Sequence, residues 1–137
     1  KVIESGIKPI LCVGETVDEM NAGKAYDVIK EQLISGLNSI KSLSKIIIAY
    51  EPVWAIGSGQ TASSKQINEV HIFIRKILSQ IFDDEESKNT PILYGGSVSS
   101  ANANELISID GVNGFLIGGA SLDVVKFSEV IKIVNSQ

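Results

Sequence analysis

One carboxylate stands where an apolar segment of the chain gives way to a glycine-rich one. Glu51 follows a run of apolar residues and precedes Pro52, the only tryptophan (Trp54), Ile56 and then Gly57-Ser58-Gly59. An acid at the carboxyl end of a buried strand, beneath a long loop, is typical of the active sites of α/β enzymes. Pro52 has no N–H to donate, and Trp54 and Ile56 could cover the acid with apolar surface, which makes a carboxylate a stronger base. These features favour Glu51 as a general base.

The alternative is that Glu51 is a structural residue, since a glutamate at a strand end can also pair with a nearby lysine. The connection from Glu51 to Ser63 is longer than the two to six residues common between a strand and its following helix. Long loops that contain pairs of glycines often act as lids. We therefore predict a lid over Glu51.

Glycine clusters follow three further apolar runs, at Gly14-Glu15, Gly95-Gly96-Ser97 and Gly118-Gly119. Small residues there suggest close approach of the backbone to a ligand. Backbone N–H groups in the last two clusters could hold a phosphate without lysine or arginine. The alternative, which the residues alone leave open, is that these glycines only close tight turns.

Strand and helix patterns alternate along the whole chain. Apolar runs that are continuous, as expected for parallel strands buried on both faces, occupy residues 9–13, 46–50, 92–94 and 114–117. Helices are expected over 16–37, 63–81, 100–108 and 123–134, with capping boxes at Thr16/Glu19 and Ser63/Gln66. We interpret residues 83–90 as a surface loop, and residues 1–6 as the last turn of a helix that ends at Gly6. The pattern is an α/β fold of four consecutive strand–helix units.

Composition limits the classes of protein to consider. The 137 residues suit a single domain over 1–137, and 44% of them are hydrophobic, so we expect a packed core. A net charge of −4 without a basic tract argues against nucleic acid or an anionic membrane as partners. A single cysteine, Cys12, fits a reducing compartment, and we expect it in the core. The lone His71 is expected to be structural or to face solvent, and the spacing of the acids implies no metal.

Four blocks of sequence resemble the triosephosphate isomerase family. The segment Ala49-Tyr50-Glu51-Pro52-Val53-Trp54-Ala55-Ile56-Gly57-Ser58-Gly59 is similar to the family signature, with Ser58 where threonine is more usual. Residues 9–15, 94–98 and 114–122 resemble the fifth, seventh and eighth strand regions, in that order. The resemblance covers essentially the whole chain and implies the second half of a TIM (β/α)8 barrel, a (βα)4 unit.

The resemblance also implies an activity and a role for each site residue. The family interconverts dihydroxyacetone phosphate and glyceraldehyde 3-phosphate through an enediolate, without a cofactor, in the cytoplasm and as a homodimer. Glu51 would be the base that moves the proton, and the phosphate would be bound by Gly57, Ser97, Gly118 and Gly119. The lid would comprise Pro52, Val53, Trp54, Ala55, Ile56, Gly57, Ser58 and Gly59, supported by Glu15, Tyr94, Ser97 and Leu116. Glu15 would contact Trp54 in the open form of the lid. Tyr94 and Ser97 would stabilise the closed form. Ile56 and Leu116 would pack against Glu51.

Parts of the family pattern are absent from these residues. A lysine after the first strand and a histidine after the fourth belong to a segment upstream of Lys1, as does the main dimer loop. The alternative hypothesis is therefore a non-catalytic half-barrel that is inactive alone, and whose exposed apolar strands would promote association. The turn Gly111-Val112-Asn113 is less acidic than usual, which puts an ion pair with Arg75 in question.

Overall fold

A parallel sheet organises the chain. The structure, a computed structural model, describes residues 1–136. Strands β1 (Ile10–Val13), β2 (Ile47–Tyr50) and β3 (Ile92–Tyr94) lie in the order β1-β2-β3. The register pairs Cys12 with Ala49, and Ala49 with Leu93. These three strands confirm the predicted parallel α/β class.

The fourth apolar run is not a regular strand, which corrects the prediction for residues 114–117. It lies beside β3 through a single bridge between Tyr94 and Phe115. Two backbone hydrogen bonds hold it there, from Tyr94 N to Gly114 O and from Leu116 N to Tyr94 O, each 3.0 Å long. Gly114 has φ +151°, outside the conformation of an ordinary strand, which interrupts the run at its first residue. The predicted direction and position of the segment are nevertheless as expected for a fourth parallel unit.

Within residues 1–136, six α-helices follow the strands or flank them. They are α1 (Val17–Asn21), α2 (Ala25–Gly36), α3 (Ser64–Ile81), α4 (Asp84–Asn89), α5 (Ala103–Ile107) and α6 (Val124–Val134). Short 3-10 turns occupy Val53–Ala55 and Gly119–Leu122. Both predicted capping boxes, at Thr16/Glu19 and Ser63/Gln66, are present.

Four secondary-structure predictions were wrong in part. The continuous helix over 16–37 is two helices, because Gly23 takes φ +71° between them. The stretch 83–90, predicted to be a loop, contains α4, whose first turn is capped by the Asp83 carboxylate bound to Glu86 N. Helix α5 is shorter than the range 100–108. At the start of the chain, residues 2–6 form a turn rather than a helix, and Gly6 ends it with φ +79°.

The core fills the space between one face of the sheet and the helices. Leu11 points to this side, since a Cβ on Gly36 of α2 would lie 2.8 Å from its Cδ1. Side chains alternate along a strand, so Ile10 and Cys12 face the opposite side. There Ile10 is 41% exposed and Cys12 is exposed too, which contradicts the expectation that Cys12 lies in the core. The face of the sheet that carries Ile10 and Cys12, called the inner face below, is apolar and only partly covered.

Candidate active site

A cleft of about 470 Å³ opens at the carboxyl ends of the strands. Strand ends from separate parts of the chain meet here because all the strands run parallel. The cleft contains the predicted base, the predicted phosphate-binding residues and one side of the predicted lid. It is lined by Glu51, Ile56, Gly57, Gly59, Gly95, Gly96, Ser97, Val98, Leu116, Ile117, Gly118, Gly119 and Ala120.

Glu51 is fixed in place by an extension of the sheet. Its N–H donates to Val13 O over 2.8 Å, and Gly95 N–H donates to Tyr50 O over 2.8 Å. The hydrogen-bond ladder therefore continues past the ends of β2 and β3, and it holds the backbone of Glu51 between its neighbours. The side chain of Glu51 is partly exposed to the cleft.

Two of the strand-end glycines make room for the protein itself. A Cβ on Gly14 would lie 1.8 Å from the carbonyl oxygen of Glu51, and a Cβ on Gly96 would lie 2.2 Å from the Tyr94 hydroxyl. Gly118 and Gly119 differ, since a Cβ on either would meet no atom within 4 Å. The space beside Gly118 and Gly119 is thus open to a ligand, whereas Gly14 and Gly96 serve packing.

Buried Glu15 links the lid to the sheet. It is only 2% exposed, and its Oε1 accepts a hydrogen bond of 2.8 Å from Trp54 Nε1 and one of 3.2 Å from the Tyr50 hydroxyl. Burial, and then the charge of Glu15, raises the pKa of Tyr50, so the phenol stays a donor. The predicted contact between Glu15 and Trp54 is present, and Tyr50 is a third member of this group that the sequence analysis did not identify.

The predicted lid is an exposed loop anchored at one end. Ala55 is fully buried, whereas Val53 and Ile56 are 48% and 49% exposed. Gly57 and Gly59 have φ of +65° and +75°, a region that favours glycine. Ser58 Oγ accepts a hydrogen bond of 3.1 Å from Gln60 N, so this hydroxyl stabilises the loop locally.

The segment that carries Ser97 is held by hydrogen bonds from residues that the sequence analysis did not identify. Ser97 O accepts hydrogen bonds from Asn102 Nδ2 over 3.0 Å and from Thr61 Oγ1 over 3.5 Å. Asn102 Oδ1 in turn accepts from Ser99 N over 2.7 Å. A serine followed three residues later by asparagine is a turn signal that could have revealed Asn102, but nothing local points to Thr61.

The Tyr94 hydroxyl has no hydrogen bond of normal geometry among residues 1–136, although it is buried. Burial raises the pKa of Tyr94, and the nearby backbone of Ala62 partly offsets this effect. A buried hydroxyl without a hydrogen bond is costly, so a further partner for this group would be favourable.

Cys12 is a neighbour of Glu51 that the sequence did not suggest. Loss of water, followed by a hydrogen bond to the Glu51 carboxylate and by its negative charge, raises the pKa of the Cys12 thiol to about 11. The thiol is therefore protonated at neutral pH, and it can donate to Glu51.

His71 lies outside the cleft, on α3, with 1% of its surface exposed. This agrees with the predicted structural role and rules out contact with a substrate in the cleft. In the same residues 1–136, no three His, Cys, Asp or Glu side chains are placed to hold a metal ion. None of the helices described is long and apolar enough to cross a membrane.

Comparison with known proteins assigns the family. The family model described as triosephosphate isomerase matches residues 1–134. Proteins named triosephosphate isomerase are 48% identical over 127 residues in Chlamydia felis (93% of this chain, 50% of that protein) and 46% identical over 137 residues in Francisella tularensis subsp. mediasiatica (98% and 54%). A third, from Pelodictyon phaeoclathratiforme, is 47% identical over 132 residues (96% and 53%). The chain spans about half the length of these curated relatives. By its family match, its identity to these proteins and its fold, the chain belongs to the triosephosphate isomerase family.

Proposed function

We propose that this chain is the C-terminal half of a triosephosphate isomerase. The protein would interconvert dihydroxyacetone phosphate and D-glyceraldehyde 3-phosphate through an enediolate, in glycolysis and gluconeogenesis. The observation that carries the proposal is the single cleft that Glu51 shares with Gly57, Ser97, Gly118 and Gly119. A carboxylate opposite an open, glycine-lined wall suits a substrate with an acidic carbon at one end and a phosphate at the other.

Glu51 carries the proton in this proposal. Its carboxylate removes a proton from one carbon of the triose and returns it to the adjacent carbon, so no oxidant, reductant or cofactor is consumed. Ile56 and Leu116 line the same cleft and would exclude water from Glu51 once a substrate is bound.

The phosphate is held by backbone N–H groups of Gly57, Ser97, Gly118 and Gly119. The absence of side-chain atoms near Gly118 and Gly119 leaves room for the phosphate oxygens. The hydrogen bonds from Asn102 and Thr61 to Ser97 O keep this segment fixed in the absence of ligand, which lowers the entropic cost of binding.

The lid, residues 52–59, closes over the bound triose. The hydrogen bond from Trp54 Nε1 to Glu15 holds the open form, and closure exchanges it for contacts with Tyr94 and Ser97. The buried Tyr94 hydroxyl, unpaired among the described residues, provides a site for such a contact. Closure protects the enediolate from loss of phosphate to water.

The proposal requires a second segment of protein. The lysine and histidine that the family uses to stabilise charge on the substrate oxygens have no counterpart in the cleft, and buried His71 on α3 cannot replace them. We propose that they belong to the other half of a barrel whose inner face includes Ile10 and Cys12, in a cytoplasmic homodimer. Taken alone, the 137-residue chain would be a half-barrel with isomerase activity near background.

The test is the isomerase activity of the full-length protein that contains this sequence, measured in both directions with coupled assays. We expect Glu51→Asp to lower kcat on the order of 100-fold, because the shorter side chain withdraws the base by about 1 Å. Inactivity of the unmodified full-length protein, or unchanged turnover in Glu51→Asp, would contradict the proposal. Robust turnover by the purified 137-residue chain would refute the requirement for a second segment.

A further inference from the structure

Gly95 leaves the space that the Glu51 side chain occupies. A Cβ on Gly95 would lie 2.5 Å from Glu51 Cγ, and 3.1 Å from both Cδ and Oε1. Ordinary van der Waals contact begins at about 3.4 Å, so the Cγ atom would have to move by about 1 Å. The nearest atoms belong to the carboxyl-bearing side chain, so a methyl group here would act on the proposed base directly.

Glycine is needed at position 95 because a side chain there would collide with Glu51, and not because of a positive φ. Gly95 does not have a positive φ, unlike Gly57 and Gly59 in the lid. The left-handed region, which favours glycine, is therefore not what requires a glycine here. Selection of the smallest residue at this position is explained by the side chain that faces it.

The backbone on both sides of this contact is fixed. The hydrogen bond from Gly95 N to Tyr50 O and the one from Glu51 N to Val13 O are each 2.8 Å long. Neither strand end can withdraw without breaking the ladder, so an added methyl group would displace the Glu51 side chain rather than the main chain. At Gly14 the situation is reversed, since the atom in the way is the backbone carbonyl oxygen of Glu51.

We propose that Gly95 is a positioning residue for Glu51. Because glycine has no side chain, the Glu51 carboxylate can occupy its observed position in the cleft. The effect on catalysis rests on the function proposed above, whereas the steric coupling does not. A base displaced by about 1 Å loses alignment with the proton it must remove, which can cost about 100-fold in rate.

A matched control is available at Gly36, where a Cβ would lie 2.8 Å from Leu11 Cδ1 on the other side of the sheet. Gly36→Ala introduces a comparable side-chain clash, remote from the cleft. In the full-length protein we expect Gly95→Ala to lower kcat about 100-fold, with KM and inhibition by inorganic phosphate changed less than about threefold. Gly36→Ala should leave kcat unchanged. A Gly95→Ala variant with normal kcat, or with phosphate inhibition weakened as strongly as kcat, would overturn the proposal.

A double-mutant cycle in the full-length protein tests the steric coupling through stability, without any measurement of activity. Glu51→Ala removes the Cγ atom that the new methyl group would meet. Gly95→Ala should lower the urea midpoint of unfolding in the unmodified protein, and most of this drop should disappear when Glu51 is already alanine. The drop caused by Gly36→Ala should be the same in both backgrounds.

An equal drop for Gly95→Ala in the two backgrounds would refute the coupling. If the cycle shows coupling but the unmodified full-length protein has no isomerase activity, the proposed function fails while the steric role of Gly95 stands.

Discussion

Lowering the pH should destabilise this chain through its one histidine. His71 is buried on α3, its Nδ1 lies 3.0 Å from Gly111 O, and the Tyr50 ring packs edge-on with 6.0 Å between ring centroids. Within residues 1–136, Nε2 is buried without a hydrogen-bond partner. Neutral imidazole fits this site with its Nδ1–H donating to Gly111 O. The protonated ring would place a second N–H where no acceptor is available.

The size of the effect follows from the pKa. Burial lowers the pKa of His71 from 6.5 to about 4, with a smaller contribution from the charge of Arg75, against the opposing effect of the hydrogen bond to Gly111. The unfolded chain binds the proton below about pH 6.5 and the folded chain only below about pH 4. Stability is therefore lost as the pH falls through this window, and not regained below it. The total is about 3 kcal/mol, of which about 2 kcal/mol is lost by pH 5.

Urea unfolding at pH 7.5 and pH 5, compared with His71→Asn, isolates this contribution. Asparagine can donate to Gly111 O from about the position of Nδ1, but it does not titrate. We expect the drop in unfolding free energy between the two pH values to be about 2 kcal/mol smaller in His71→Asn. Equal drops in the two proteins would refute the reasoning. So would an imidazole proton resonance, unambiguous with one histidine, that titrates near pH 6.5 in the folded chain.

Three further predictions follow from the contacts described above. Asn113→Asp should raise the unfolding free energy by up to about 1 kcal/mol at low salt, because Asn113 Oδ1 already accepts from Arg75 Nη2 over 3.2 Å and from Ile92 N over 2.9 Å. Urea unfolding should show this gain shrinking in high salt, and a loss of stability would contradict the argument. The raised pKa of Cys12, about 11 against an ordinary 9.0, lowers its thiolate fraction at pH 8 about 100-fold. Because the more basic thiolate is also the stronger nucleophile, its reaction with a disulfide reagent should be about 10-fold slower than that of a free thiol. Glu51→Gln should recover part of that rate, and a reaction as fast as that of a free thiol would refute the contact. Sedimentation should show that the 137-residue chain self-associates, and that Ile10→Lys on the inner face reduces this more than Ile72→Lys, a residue 58% exposed on the outer helix α3. Equal effects of the two lysines would argue against association through the inner face.

Local sequence signals were sufficient where the physics is local. The capping boxes at Thr16 and Ser63 each satisfy backbone N–H groups within three residues, so their pattern alone predicted where α1 and α3 begin. The same applies to the acid at the end of β2. The helix predicted over 16–37 and the loop predicted over 83–90 were wrong, although the signals at Gly23 and Asp83 are local. The break between α1 and α2 depended on a positive φ at Gly23, and the charged stretch of α4 resembled a loop more than a helix.

The environment of each site residue was decided by tertiary structure. The sequence placed Gly14, Gly95 and Gly96 at strand ends, but only the fold shows that Gly14 and Gly95 face Glu51 and that Gly96 faces Tyr94. Parallel pairing brings Cys12 close to the Glu51 carboxylate. Cys12 is exposed on the inner face of the sheet, although its place in an apolar run predicts burial.

By itself, the sequence determined the class of fold, the position of the carboxylate and the family that this chain resembles, because these depend on residue type and spacing. It could not determine which strand-end glycines leave room for a ligand and which leave room for a neighbouring side chain. For Gly14 and Gly95 that distinction depends on distances to Glu51, some 40 positions away, which exist only once the parallel strands have packed side by side.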